Sequence, residues 1–307
     1  MAVALEHGAA HKKLTHIDTA LCYGTHRQVG HVLADYFMRG KLQRNNVFLT
    51  SKIFHPDNDG FGLDVNTLPK NTADLSPEET TRMVTEQFER TLQELGVGYV
   101  DLMLLHWPGG QGGLRNEEET KDDDTSALQR RHLEEEITRN AAHRLAAWKV
   151  LEKFYRKGWA RAIGVSNFNE IHLERLRQDG AEIVPMVNQI EASVFLQQTE
   201  IAQYCQQRNI SLVAYSPLGR GVNHVTPNPL VQKIATKHGK DAGQVALRYC
   251  LQKGYAAVIF WSTSEKRIVS NHDILQDFSL EDDDMAKLDS LNAPDGSWGL
   301  PSPYDIP

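Results

Sequence analysis

Short runs of β-branched and apolar residues alternate along this chain with longer stretches of helical period, and this alternation narrows the fold more than any other feature. Parallel strands cannot be joined by tight turns and need crossover connections, so the pattern predicts a parallel sheet covered by helices. Seven strands are expected, at 14–18, 47–52, 99–106, 160–165, 185–189, 211–215 and 256–260. The helix near Ser76 has the clearest start. Ser76 is placed as N-cap, Pro77 at the first helical position and Glu79 three residues after the cap, which is a capping box. Val84, Phe88, Leu92 and Leu95 then recur at helical spacing, and Gly96 ends the helix. Further helical faces are read at 29–37, 145–154, 171–176 and 245–251.

Two stretches break the rhythm: 55–75, rich in Asn, Asp, Gly and Pro, and 109–140, which holds the acidic runs 117–119 and 122–124. Both are expected to be long loops with solvated charge. The alternation resumes unchanged after each, so all 307 residues are read as one barrel domain. A doubly wound sheet is disfavoured, because no Gly-rich fingerprint follows the first strand.

In a (β/α) barrel, chemistry gathers at the C-terminal ends of the strands. Every expected strand here closes on a polar residue: Asp18, Lys52, His106, Ser166 with Asn167, Gln189, Tyr215 with Ser216, and Ser262. Taken singly, Asp18 is compatible with a turn cap, Lys52 with a surface pair and His106 with an ordinary core position. Taken together, ionisable groups ending three successive apolar strands are costly to bury without a purpose. Tyr23 follows Asp18 by five residues. A phenol is a weak acid near neutrality, and an ammonium such as that of Lys52 is expected to pull its pKa down. His106 is suited to orienting a carbonyl oxygen.

Charge and composition remove several other classes. Lys plus Arg number 33 and Asp plus Glu 40, a formal net charge of −7, which argues against nucleic acid as a partner. No window reaches the ~20 apolar residues of a membrane span. Cys22, Cys205 and Cys250 are too few and too scattered for a disulfide framework, so a cytoplasmic setting is expected. The thirteen histidines include no His-x-x-x-His pair on an evident shared element, so no metal is expected. The Gly-x-Ser-x-Gly elbow of a barrel or α/β hydrolase is absent as well.

From His16 to about Asn292 the chain resembles the aldo-keto reductase superfamily, in particular its aldose and aldehyde reductases. The likeness rests on His16-Ile17-Asp18-Thr19-Ala20 with Tyr23-Gly24, on Thr50-Ser51-Lys52, and on Leu104-Leu105-His106-Trp107-Pro108. It continues in Gly164-Val165-Ser166-Asn167-Phe168, Asn188-Gln189 and Tyr215-Ser216-Pro217-Leu218-Gly219. The resemblance implies a (β/α)8 TIM barrel and an NADPH-dependent reduction of aldehydes or ketones, with Asp18, Tyr23, Lys52 and His106 catalytic and Tyr23 the proton donor. It implies cofactor contacts at Ser166, Asn167, Gln189, Tyr215, Ser216, Leu218, Ser262, Arg267 and Asn271, and a substrate pocket walled by Phe54, Trp107 and Trp298.

Three departures qualify that expectation. Trp261 stands where a lysine usually meets the 2′-phosphate, so NADH is a possible second cofactor. The family's N-terminal hairpin and first barrel strand are expected to be lacking, since only residues 2–13 precede the Asp18 strand. A monomer is expected, with self-association through an open barrel edge as the other outcome. His26 replaces a common Glu. The alternative to an active reductase is a catalytically impaired barrel that binds a nucleotide or a partner.

Overall fold

The computed structural model describes residues 1–11, 14–54, 75–109, 123–221, 225–274, 278–293, 304 and 306. The chain divides into two compact units, one comprising His16–Met186 with Pro301–Pro307 and the other Met1–Thr15 with Val187–Leu300.

The unit built on His16–Met186 carries β1 (Thr15–Asp18), α2 (His26–Met38), β2 (Val47–Ile53), α3 (Pro77–Leu95), β3 (Val100–Leu105), α4 (Asp123–Arg156), β4 (Ala160–Ser166) and α5 (Glu170–Gln178). Its strands lie in chain order, with β2, β3 and β4 parallel. The register pairs Lys52 with Leu104 and Leu104 with Gly164. β3 is buried at every position, as expected of a strand covered on both faces. The capping box at Ser76 forms as its sequence predicts: Ser76 Oγ accepts from the Glu79 amide at 3.2 Å, and Glu79 Oε2 accepts from the Ser76 amide at 2.8 Å. Gly96 ends α3 at φ +63°, a conformation that favours glycine. Gly30 in α2 serves another purpose, because a Cβ there would lie 2.7 Å from the Leu95 carbonyl oxygen. Its lack of a side chain lets α2 rest against the end of α3.

The loop expected at 109–140 needs correction. Residues 110–122 lie outside the described residues, but from Asp123 onward the chain is α4, which runs 34 residues. The sequence of α4 is rich in Ala, Leu, Arg and Glu, residues of high helix propensity. The apolar face at 145–154 therefore marks only the packed C-terminal part of a longer helix. Trp148, Leu151 and Phe154 are buried there, and Phe154 stacks on Phe88 of α3 at 4.3 Å. The other expected loop, 55–75, lies outside the described residues except for Leu75.

The second unit begins with α1 (Ala2–Ala10) and continues with β5 (Val187–Glu191), α6 (Thr199–Gln207), β6 (Ser211–Tyr215), α7 (Pro229–His238), α8 (Ala242–Gln252), β7 (Ala257–Ile259), α9 (Glu265–His272) and α10 (Asp282–Asp289). β5, β6 and β7 are parallel, with Glu191 opposite Tyr215 and Tyr215 opposite Ile259. α1 packs against α9. His7 lies in α1 and His11 is the C-cap just beyond it. No sequence expectation covers α1, which is Ala-rich and shows almost no amphipathic period.

Candidate active site

Asp18 closes β1 and Lys52 lies near the end of β2, the neighbouring strand. The backbone locks the two ends together, since the Thr19 amide donates to the Thr50 carbonyl at 3.0 Å. Lys52 Nζ donates to Asp18 Oδ1 in a close ion pair and to the Thr19 carbonyl at 3.1 Å. The lysine side chain is only 1 % exposed and that of its partner 7 %. A buried ammonium survives only when opposite charge and acceptors replace its water. Here burial is the largest influence and works against the charged lysine, but the Asp18 carboxylate, followed by Tyr23 and Cys22, outweighs it and raises the Lys52 pKa above its ordinary value.

The turn after β1 brings Tyr23 back to this pair. Residues Leu21–Tyr23 form a 3-10 turn ended by Gly24 at φ +63°, with the Tyr23 amide donating to the Ala20 carbonyl at 3.0 Å. Lys52 Nζ then lies 5.2 Å from the centre of the Tyr23 ring. Tyr23 is 42 % exposed, unlike the other members of the cluster. Loss of solvation is the largest influence on its hydroxyl and pushes the pKa up, while the Lys52 ammonium pulls it back. The net lowering expected from sequence is therefore not found in the protein alone: the cation acts in the anticipated direction, but desolvation exceeds it.

His106 follows β3 and is held by its backbone, the amide donating to the Ile53 carbonyl at 2.9 Å and the carbonyl accepting from Asn167 Nδ2 at 3.0 Å. Its ring meets Tyr23 edge to face at 6.0 Å and stacks on Phe54 at 5.2 Å. Burial, assisted by the Lys52 charge, holds its pKa well below the ordinary histidine value, so the imidazole is neutral at pH 7. Trp107 beside it is buried. The structure thus joins Asp18, Tyr23, Lys52, His106 and Phe54 in one cluster of the first unit.

Ser166 ends β4 in the same unit and Asn167 follows it, both almost fully buried. Asn167 has φ +63°, and its amide nitrogen also donates to Ser166 Oγ at 3.2 Å. A non-glycine residue in the left-handed region at a strand end is a strained position of the kind found at ligand sites. The second unit holds the remaining predicted residues. Gln189 lies in β5 and is buried, Tyr215 ends β6, and Ser216 has φ +52° with its carbonyl accepting from the Gly219 amide at 2.9 Å. Leu218 stands in that turn. Ser262 Oγ accepts from the Ser264 amide at 3.1 Å, and Ser264 caps α9, which carries Arg267 and Asn271. Arg267 is exposed and Asn271 buried. Trp261 is 83 % exposed and offers no cation. Trp298 lies outside the described residues.

Cys22 was not singled out from sequence, yet its Sγ lies 3.7 Å from His106 Nδ1. Burial pushes this thiol up to about 12. Its only sequence signal was its place next to Tyr23. His26 keeps a structural role behind the site, with Nε2 at 3.0 Å from Ser51 Oγ and Nδ1 at 3.9 Å from Glu94.

A neutral imidazole, an exposed phenol and a buried cation in one cluster constitute equipment for proton transfer to an oxygen atom. Comparison with known proteins identifies the family. The aldo/keto reductase family model matches residues 1–293. The chain is 37 % identical over 276 residues to glyoxal reductase of Bacillus subtilis (strain 168), covering 90 % of this chain and 78 % of that one. Among solved structures it resembles an aldo-keto reductase from a Medee basin deep-sea metagenome library, with TM-score 0.70 and 30 % identity over 95 % of this chain and 86 % of that one. A Bombyx mori aldo-keto reductase in complex with NADP gives TM-score 0.70 and 27 % identity, over 95 % of this chain and 81 % of the other. The parallel strands and alternating helices are those of a (β/α)8-type fold. With the family match running through both units and through every strand end described above, the chain belongs to the aldo/keto reductase family.

Proposed function

We propose that this protein reduces an aldehyde or ketone to an alcohol with a reduced nicotinamide dinucleotide as hydride donor and Tyr23 as proton donor. The observation that carries the reading is the buried Lys52–Asp18 pair with its ammonium 5.2 Å from the Tyr23 ring, beside a neutral His106. When bound, the cofactor supplies the hydride. The protein's own residues manage the oxygen. His106, as a neutral donor, holds the carbonyl oxygen and points it toward Tyr23. Tyr23 gives its proton as negative charge builds on that oxygen, and the Lys52 ammonium offsets the charge left on the phenolate. Asp18 keeps Lys52 protonated and in place. Phe54 and Trp107 supply apolar walls.

The residues fit a nicotinamide nucleotide by the chemistry of their donors. Ser166 and Asn167 offer hydroxyl and amide groups suited to a carboxamide, and Gln189 carries a side-chain amide of the same chemistry. Tyr215 has a ring to stack on a nicotinamide, and the Ser216–Leu218 turn suits a pyrophosphate. Ser262, Arg267 and Asn271 are the groups for the adenosine end. The relative solved with NADP supports NADPH as the partner; the exposed Trp261 in place of a cation favours a weaker preference for it over NADH.

The experiment is consumption of NADPH absorbance with a reactive aromatic aldehyde. Wild-type protein turns over, and Tyr23→Phe loses about 10²–10⁴-fold in kcat while still quenching on cofactor binding. Binding without turnover in the wild type assigns the chain to the impaired, nucleotide-binding class instead.

A further inference from the structure

The second unit gathers three metal-ligating side chains that carbonyl reduction does not use. His7 stands in α1, while His272 is the last residue of α9 and Asp273 its C-cap. One ligand atom from each lies within 4.8 Å of the other two. His7 Nε2 is 2.9 Å from Asp273 Oδ1, and the rings of His7 and His272 meet edge to face with centres 5.4 Å apart.

We propose that His7, His272 and Asp273 form a binding site for a zinc-class divalent cation that clips α1 to α9. Two imidazoles bound to one tetrahedral ion through nitrogens at about 2.0–2.1 Å place their ring centres about 5 Å apart, and ligand atoms on such an ion stand about 3.4 Å from one another. His7 Nε2 and Asp273 Oδ1, at 2.9 Å, need to separate by about half an ångström, and the His272 nitrogen lies within 4.8 Å of both. Two histidines and one carboxylate are a common zinc ligand set that leaves a fourth position open. The last carbonyls of α9 add negative potential at its C-terminus, which favours a cation there. A cavity of about 540 Å³ lined by Val3, Gln244, Lys266, Val269 and Asp273 adjoins the cluster on the Asp273 side. The His11 ring lies tilted beside that of His7 with centres 4.2 Å apart, but the ligand atoms that gather are those of His7, His272 and Asp273.

An ion here joins residues 266 positions apart in sequence. It also steadies α9, the helix that carries Arg267 and Asn271.

The test uses the full chain after chelator treatment, titrated with Co²⁺ for its visible spectrum and with Zn²⁺ by calorimetry. One equivalent binds, with tetrahedral cobalt bands and no thiolate charge-transfer band, and Zn²⁺ raises the melting temperature. His272→Gln and Asp273→Asn each weaken binding at least about tenfold, since even outer partners of metal ligands change affinity on that scale. His11→Gln leaves binding intact. Failure of the wild type to take up an equivalent, a thiolate band, or unchanged affinity in His272→Gln overturns the proposal and leaves His7–Asp273 a side-chain hydrogen bond only. The wild-type cobalt spectrum decides the matter even if a variant does not fold, and no arm of the test depends on reductase activity.

Discussion

The imidazole of His26 is buried with its Nε2 3.0 Å from the hydroxyl of Ser51, the residue that precedes Lys52 in β2. This contact ties the start of α2 to the strand carrying the buried cation. Burial lowers the His26 pKa to about 4, with Glu94 acting in the opposite direction, so the ring is neutral in the folded protein. His172, whose Nε2 is 2.8 Å from the Ile306 carbonyl, is lowered to about 3, first by burial and then by Arg144.

A stability loss in mild acid follows from these two histidines. Their folded pKa values lie below the unfolded value of ~6.5, so the unfolded chain binds more protons between those limits. The stabilisation is whole above about pH 6.5 and declines as pH falls toward 4, by up to ~1.4 kcal/mol per pH unit for each histidine. Denaturant midpoints at pH 7 and pH 5 measure it. His26→Gln should flatten the slope; an unchanged slope assigns the acid sensitivity elsewhere.

Asp18→Asn removes the countercharge and leaves the Lys52 ammonium buried without it. We expect a loss of about 3–5 kcal/mol in unfolding free energy, together with loss of turnover. The double variant Asp18→Leu with Lys52→Met should regain most of the stability and none of the activity. Recovery of both would mean that the pair serves only packing.

Gly30→Ala sets a new methyl against the end of α3, 2.7 Å from the Leu95 carbonyl oxygen and 2.9 Å from that of Glu94. Backbone cannot turn aside as a flexible side chain can, so the expected cost is about 1–3 kcal/mol. Thermal melts of the variant against wild type check this, with Gly98→Ala as a control because a Cβ there meets nothing within 4 Å.

Cofactor preference should respond to Trp261. Trp261→Lys places a cation on an exposed position next to Ser262. If a 2′-phosphate is held there, the ratio of kcat/KM for NADPH over NADH rises about tenfold, the worth of one charge-assisted contact of ~1.5 kcal/mol. The gain shrinks with added salt. No change in the ratio would move the phosphate contact to Arg267 or Lys266.

Cys22 provides a chemical check on the site. Its thiol is held up to about 12 by burial, so it should react with iodoacetamide at pH 8 far more slowly than a free cysteine. Peptide mass spectrometry of Cys22 against a small thiol measures the difference, and rapid alkylation would mean the turn around Tyr23 opens in solution.

Much of this protein was legible in its order of residues. The seven strands fall within two residues of their expected bounds at each end, and the Ser76 cap, its Pro77 and the Gly96 stop all appear in α3. Those features are local: a period, a cap and a breaker act within a few residues, so the chain specifies them without knowing its fold. The same locality put Asp18, Lys52 and His106 at strand ends, where parallel pairing had to bring them together. What only tertiary structure decided depends on neighbours distant in sequence. α4 extends back to Asp123 because packing of Trp148 and Phe154 anchors a helix whose acidic beginning reads as loop. The phenol of Tyr23 rises rather than falls because desolvation, which no spacing reveals, exceeds the pull of Lys52. His7 meets Asp273 only because α1 folds onto α9. Hydrogen bonding along the backbone is written residue by residue, whereas burial and through-space charge exist only once the packed chain has excluded its water.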